Sequence, residues 1–302
     1  MSDARVRVPC STSNLGAGFD CVGVALDRWL DASVRVTDGS TITIAHAGTG
    51  AALRVDPERD HLLTGFRLAC AMAGAQPPAG LAFEVRSAIP VARGLGSSAA
   101  ALVAGALLAD AALGLSIAAD NVVGLVAALE GHPDNAAPIV LGGAVLAVPK
   151  PRGGYAFAPL EVHESLGIAL AIPDFETATR DMRAALPAEV PHRDAVVAAG
   201  KAAALVRGLA TGDAALLAHA LDDVLHVPYR RALVRGYDEV VAAAREAGAL
   251  GATLSGSGST VLALAPADRA AAAAEAMRDA WEALGIAAEG SVARVAGPAQ
   301  VA

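Results

Sequence analysis

The spacing of hydrophobic positions changes several times along the chain, and each change marks an element boundary. Alternation of apolar and polar residues over 5–9, 30–37, 41–45 and 81–87 predicts strands with one buried face. Asp38-Gly39-Ser40, between the second and third of these, predicts a hairpin. Residues 60–75 repeat their apolar positions at helical spacing, open on Asp60 and close near Gly74, as a capped helix does. Residues 97–113 are apolar on nearly every side and predict a buried helix. A second helix follows over 116–130, ending at Gly131, and then a strand over 144–148. Pro149-Lys150-Pro151-Arg152-Gly153-Gly154 reads as a linker. Beyond it the pattern predicts a strand over 167–172 and helices over 194–207, 213–225 and 237–247. Two strands, 252–255 and 260–265, then flank a glycine-serine loop, followed by an amphipathic helix over 267–284 and a strand over 291–295. Strands and helices mix without strict βαβ alternation, so the fold class expected is α+β, in two domains of 1–152 and 153–302.

Composition narrows the function classes. Of 302 residues, 54% are hydrophobic and 18% charged, which suits a chain that buries a core. The formal net charge of −8 leaves no basic stripe to neutralise a phosphate backbone, so nucleic acid is not expected as a partner. Positive charge is carried almost wholly by arginine, with Lys150 and Lys201 the only lysines, and a GC-rich coding bias accounts for most of that. Three cysteines without metal-ligand spacing, Cys10, Cys21 and Cys70, fit a reducing cytoplasm. The opening residues lack an apolar signal core. Residues 95–115 are long enough to span a membrane, but Ser97, Ser98, Gly105, Asp110 and Gly114 interrupt them, so no membrane association is expected.

Three glycine-rich segments carry the candidate chemistry. In Pro90-Val91-Ala92-Arg93-Gly94-Leu95-Gly96-Ser97-Ser98-Ala99-Ala100, a loop runs straight into a helix. Unpaired backbone N–H groups and the positive end of the helix dipole converge there, which suits an anion such as a nucleotide phosphate. The other two are Pro9-Cys10-Ser11-Thr12-Ser13-Asn14-Leu15-Gly16-Ala17-Gly18-Phe19-Asp20 and Gly251-Ala252-Thr253-Leu254-Ser255-Gly256-Ser257-Gly258-Ser259-Thr260. Taken alone, each could be an ordinary turn, and the last a flexible linker. None ends in the Gly-Lys-Ser/Thr of a Walker A loop.

Taken together and in order, the three segments resemble the motifs of the GHMP kinases, small-molecule phosphotransferases, across nearly the whole chain. Within that family the likeness is greatest to the branch acting on homoserine. Asn14-Leu15-Gly16-Ala17-Gly18-Phe19-Asp20, Gly131-His132-Pro133-Asp134-Asn135-Ala136-Ala137-Pro138 and Pro228-Tyr229-Arg230 are the words that carry it. The resemblance implies an N-terminal ATP-binding lobe, a ferredoxin-like C-terminal lobe, L-homoserine as the small-molecule substrate of an ATP-dependent step toward threonine, and a cytoplasmic homodimer. Another small alcohol as substrate, or a regulatory protein that binds nucleotide without catalysis, are the alternatives.

It also implies roles for single residues. The segment from Pro90 to Ala100, with Gly256, Ser257 and Gly258, would hold ATP; Ser98 and Glu130 would hold Mg²⁺, a hard cation suited to oxygen ligands. Arg183 and Arg230 would engage the substrate carboxylate, and Asn14, Asp20 and Asp134 would position the amino acid. Thr179 and Asn135 would stand at the reacting centre. Mevalonate-type members carry a lysine and an aspartate where this chain has Ser11 and Asn135. Asparagine is no base, so Asn135 is expected to orient the hydroxyl. His132 is expected to shape its loop by hydrogen bonding rather than to act as a base. Arg180, Arg193 and Arg231 read as surface ion-pair residues, although register could exchange Arg231 with Arg230.

Overall fold

The computed structural model describes residues 3–302. In chain order the elements are β1 (Asp3–Asn14), β2 (Gly18–Thr37), β3 (Ile42–Gly48), α1 (His61–Met72), β4 (Gly80–Ser87), α2 (Ser97–Leu113), α3 (Ala119–Glu130), α4 (Ala136–Leu141), β5 (Ala144–Pro149) and β6 (Tyr155–Leu160). Then come β7 (Leu166–Pro173), α5 (Thr179–Ala184), α6 (His192–Thr211), α7 (Ala214–Leu221), α8 (Val227–Arg230), α9 (Tyr237–Glu246), β8 (Gly251–Leu254), β9 (Val261–Pro266), α10 (Ala270–Ala283), β10 (Ala288–Ala293) and β11 (Gln300–Val301).

The fold is α+β with two sheets. The first runs β11-β1-β2-β4-β3, and β5 and β6 continue from the other end of the long β2. β1 alternates exposed and buried residues until Val8 and is then buried continuously to Asn14, because its second half passes between the two lobes. The second sheet runs β10-β7-β9-β8. With α9 and α10 packed against it, this is the split βαβ arrangement of a ferredoxin-like lobe. Trp281 of α10 is wholly buried there and donates from Nε1 to the Arg235 carbonyl at 2.8 Å.

Two sequence expectations are corrected. Asp38-Gly39-Ser40 does not join a hairpin: β4 lies between β2 and β3, antiparallel to the first and parallel to the second. The turn residues are right, but alternation along a strand does not say which neighbour it pairs with. The expected linker at 149–154 is instead a hairpin turn, because β5 and β6 pair antiparallel across it, from Ala144↔Leu160 to Pro149↔Tyr155. A division at 152/153 therefore falls inside the first sheet, to which β11 also returns.

α2 is the central helix of the first lobe. Ten of its residues are buried, on every side, and small side chains let its neighbours close in. A Cβ on Gly105 would stand 1.9 Å from the Leu62 carbonyl, and one on Gly65 would stand 2.0 Å from that of Leu102, so α1 and α2 cross backbone to backbone. Among the described residues, no helix is long and apolar enough to cross a membrane.

Candidate active site

One cleft of about 590 Å³ lies between the lobes and draws on all three glycine-rich segments. Its size suits a nucleotide-scale ligand. Of the Pro90–Ala100 stretch, Val91 to Gly94 and Gly96 to Ser98 line it, whereas Leu95, Ala99 and Ala100 are buried in the core beneath and Pro90 is off the cleft wall. α2 begins here on Gly96, in a left-handed conformation and with no side-chain cap, so its first N–H groups are presented to the cleft. From the third segment, Gly256 and Ser257 reach the cleft; Gly258 faces Leu254, Val234 and Met182 instead.

The segments hold one another in place. Ser255 Oγ donates to the Gly94 carbonyl at 2.6 Å, and the Thr12 and Ser255 hydroxyls are 2.9 Å apart. Asn14 Nδ2 donates to the Gly256 carbonyl at 3.0 Å, and its Oδ1 accepts from the Asp20 amide at 2.9 Å. Gly94 has φ +73°, and a Cβ there would stand 2.1 Å from the Ser255 carbonyl, so no other residue fits the junction. Arg93 extends from the same loop to the second lobe, donating to the carbonyls of Pro173 at 2.9 Å and Asp174 at 2.5 Å.

At the mouth of α2, Ser98 Oγ is 2.8 Å from His61 Nδ1, and Glu130 approaches from the end of α3. Burial raises the Glu130 carboxyl pKa, against opposing pulls from His132 and the Ser98 hydroxyl. Its Oε2 is buried with no hydrogen-bond partner. A desolvated carboxylate oxygen beside a hydroxyl is a donor set that suits a hard divalent cation. Away from these polar groups the cleft widens into an apolar arm walled by Leu30, Leu53, Val55, Leu62, Val85 and Leu129.

The opposite end is charged. Arg183, on α5, grips Asp20 with both guanidinium arms, at 2.8 and 3.0 Å, and that hydrogen-bonded carboxylate raises the arginine's pKa. Arg230, on α8, is 2% exposed and lines the cleft; among the described residues it makes no ion pair. Burial, and then the nearby Arg183, lower its pKa. Its neighbour Arg231 points away to an exposed pair with Asp238 at 3.4 Å, so of the two it is Arg230 that faces the cleft. Arg180 and Arg193 make exposed pairs with Asp181 and Asp194. His132 Nδ1 is 2.5 Å from Asp134 Oδ1; burial opposes the imidazolium, but the Asp134 carboxylate together with Glu130 and Asp20 more than offsets it and the pKa is raised. Asp134 Oδ2 is buried without a partner, and Asp20, His132 and Asp134 converge within 4.8 Å.

Between the two ends, Ser11 Oγ donates to Asn135 Oδ1 at 2.9 Å, directly under Gly96. That contact leaves the Asn135 amide N–H₂ as the group able to donate into the cleft. Thr179 stands at the first turn of α5, its hydroxyl 3.2 Å from that of Ser257. Sequence reasoning did not single out His61, Phe19, His226 or the apolar arm. His61 follows the capping Asp60 with no motif of its own, and the arm is built from hydrophobic residues on five separate elements and loops. His226 was legible in one respect, since it lies one helical turn before Arg230.

Residues 61–143 match the family described as GHMP kinases N terminal domain, and residues 203–283 match GHMP kinases C terminal. The chain is 40% identical over 292 residues to a homoserine kinase of a Synechococcus strain, covering 97% of this chain and 95% of that one. It is 43% identical over 282 residues to the homoserine kinase of Gloeobacter violaceus, covering 91% and 92%. Among solved structures, the homoserine kinase of Cytophaga hutchinsonii superposes with a TM-score of 0.88 at 28% identity, covering 100% of this chain and 98% of that one. A galactokinase from Lactococcus lactis, at 14% identity and a TM-score of 0.66 over 99% and 95%, shares the fold. By sequence along nearly its whole length, and by the motifs that meet in the cleft, the chain belongs to the GHMP kinase family.

Proposed function

We propose that this enzyme transfers the γ-phosphoryl group of ATP to the side-chain hydroxyl of L-homoserine, giving O-phospho-L-homoserine and ADP, a step toward threonine. The observation that carries the reading is the charge arrangement at the closed end of the cleft. Arg183 and Asp20 satisfy each other across it, while Arg230 faces it without an anion. An amino acid brings both missing charges. Its carboxylate replaces Asp20 on the guanidinium forks, and its ammonium takes up Asp20 and the unpartnered oxygen of Asp134. Asn14 supports this face by holding the Asp20 backbone.

The nucleotide would occupy the other half, with its phosphates over Gly94, Gly96 and Ser97 at the uncapped start of α2, Gly256 and Ser257 closing the far side, and its base in the apolar arm. Ser98 and Glu130 fit Mg²⁺, which supplies charge neutralisation at the phosphates when bound. The Asn135 amide would donate to the substrate hydroxyl and set its lone pair in line with the γ-phosphorus, beside Thr179. The new O–P bond forms as the bond to the β-phosphate oxygen breaks, and the hydroxyl proton passes to a phosphoryl oxygen, so no side-chain base is required. The resemblance adds a cytosolic homodimer, which light scattering on the purified protein tests.

A coupled assay with ATP, Mg²⁺ and a panel of homoserine, serine, threonine, mevalonate and galactose tests the reading. ADP release selective for homoserine is expected; preference for mevalonate or galactose, or no turnover at all, overturns it.

A further inference from the structure

Arg230 is held in a way that the reaction itself does not require. Its Nε donates to the Met182 carbonyl at 3.1 Å, and its Nη1 is 3.3 Å from His226 Nδ1. On the far side of the ring, His226 Nε2 is 3.2 Å from the Gly16 carbonyl. A carbonyl only accepts, so Nε2 carries the ring proton and Nδ1 presents a bare lone pair to the guanidinium. The ring is wholly enclosed. Burial, and then the charge of Arg230, push its pKa down to about 4 against the pull of Asp223, so it is neutral at physiological pH. The Asp223 carboxylate is engaged elsewhere, accepting from the amides of Leu225, His226 and Val227 at the start of α8. Phe19 stacks on His226 at 4.9 Å between centroids and 17° between planes, and Arg230 lies 5.2 Å over the same ring.

We propose that His226, backed by Phe19, is a positioning residue that aims the Arg230 guanidinium at the carboxylate of the bound amino acid. The proposal rests on the amino-acid kinase reading above. Chemistry explains why a neutral imidazole suits this place. An aspartate or glutamate would hold the arginine as firmly, but would neutralise it and compete with the substrate's own carboxylate. Nδ1 fixes the orientation of the cation and leaves its charge to the ligand. The stacked Phe19 face favours a cation above it without supplying a counter-charge. The Nε2–H to Gly16 fixes the tautomer and ties this support to the first glycine-rich segment.

The test compares homoserine with homoserinol, in which CH₂OH replaces the carboxylate, for the wild type, His226→Phe, His226→Asn and His226→Gln. Phenylalanine keeps the stack and loses the lone pair. Asparagine places a carbonyl oxygen near the Nδ1 position, and glutamine places an N–H near that of Nε2. The wild type is expected to favour homoserine. In His226→Phe that preference falls about tenfold through the KM for homoserine, with the KM for ATP and the turnover of homoserinol little changed, and His226→Asn restores most of it. An equal loss on both alcohols, or undiminished preference in His226→Phe, overturns the proposal. If that variant does not fold, the asparagine and glutamine variants decide: equal preference in the two overturns it. Wild-type enzyme that leaves homoserine unphosphorylated removes the parent reading, and this inference with it. Wild-type enzyme that phosphorylates both alcohols equally well removes the inference alone.

Discussion

Glu130 shows how one side chain can be costly to the fold and yet suit the metal role proposed for it. Its raised pKa means that the folded protein binds that proton more tightly than the unfolded chain does. Below the ordinary carboxyl value of 4.5 both states are protonated and nothing is lost. As pH rises from there through the raised value, the folded state must carry a desolvated anion, so this group removes stability over that window. Glu130→Gln is therefore expected to melt higher than wild type in EDTA above that window, with the gap closing toward acid pH, and to need more Mg²⁺ for nucleotide binding. Melting curves across pH and calorimetric titration of Mg-ADP measure both. For Asn135, replacement by alanine should lower kcat about a hundredfold with KM nearly unchanged, the signature of lost alignment. Asn135→Asp should add a limb to the pH–rate profile in which activity rises as the carboxyl ionises. Both positions are legible in the sequence, Asn135 within the Gly131–Pro138 word and Glu130 just before it, and both line the cleft. The sequence did not show that the Asn135 carbonyl oxygen is already taken by Ser11, since that depends on Gly96 pressing two distant strands of chain together.

At the scale of elements, the α1–α2 crossing positions the start of α2. Gly105→Ala is expected to cost about 1–3 kcal/mol in urea unfolding, because the added methyl meets the Leu62 backbone rather than a side chain that can turn aside. The same variant should weaken nucleotide binding, since α1 also carries His61 to the Ser98 hydroxyl. Helices were the elements most fully legible in the sequence. Asp60 caps α1 through the Leu62 amide, as its position promised, and α2 spans 97–113 as its apolar run predicted. Short elements such as α4, α5 and α8 escaped because four to six residues show no period; tertiary contacts make them. Strand pairing escaped for another reason. The insertion of β4 between β2 and β3 is set by long-range burial, about which Asp38-Gly39-Ser40 carries no information.

For the whole molecule, the lobes share one hydrophobic core and several polar contacts, and Arg93 is one of those ties. Arg93 joins the second glycine-rich loop to the end of β7 through two carbonyls and pairs with Glu176 at 3.3 Å, its side chain 14% exposed. Arg93→Ala should cost about 2 kcal/mol in unfolding free energy and raise the KM for ATP more than that for homoserine; unchanged stability would show that the lobes are held elsewhere. Two lobes were foreseen from the order of the motifs. Their border was not, because the first sheet takes back β6 and β11 after the chain has turned toward the second lobe. The bond from Ser255 to the Gly94 carbonyl bears on how the protein is made. Translation delivers the second glycine-rich loop some 160 residues before the hydroxyl that braces it. A nascent chain halted at residue 250 would hold most of the residues proposed to face ATP and yet lack the brace. Ribosome-bound chains of that length should fail to retain a fluorescent ATP analogue that full-length chains, tethered through a C-terminal linker long enough to clear the exit tunnel, retain, which makes nucleotide capture a signal that the third glycine-rich segment has emerged.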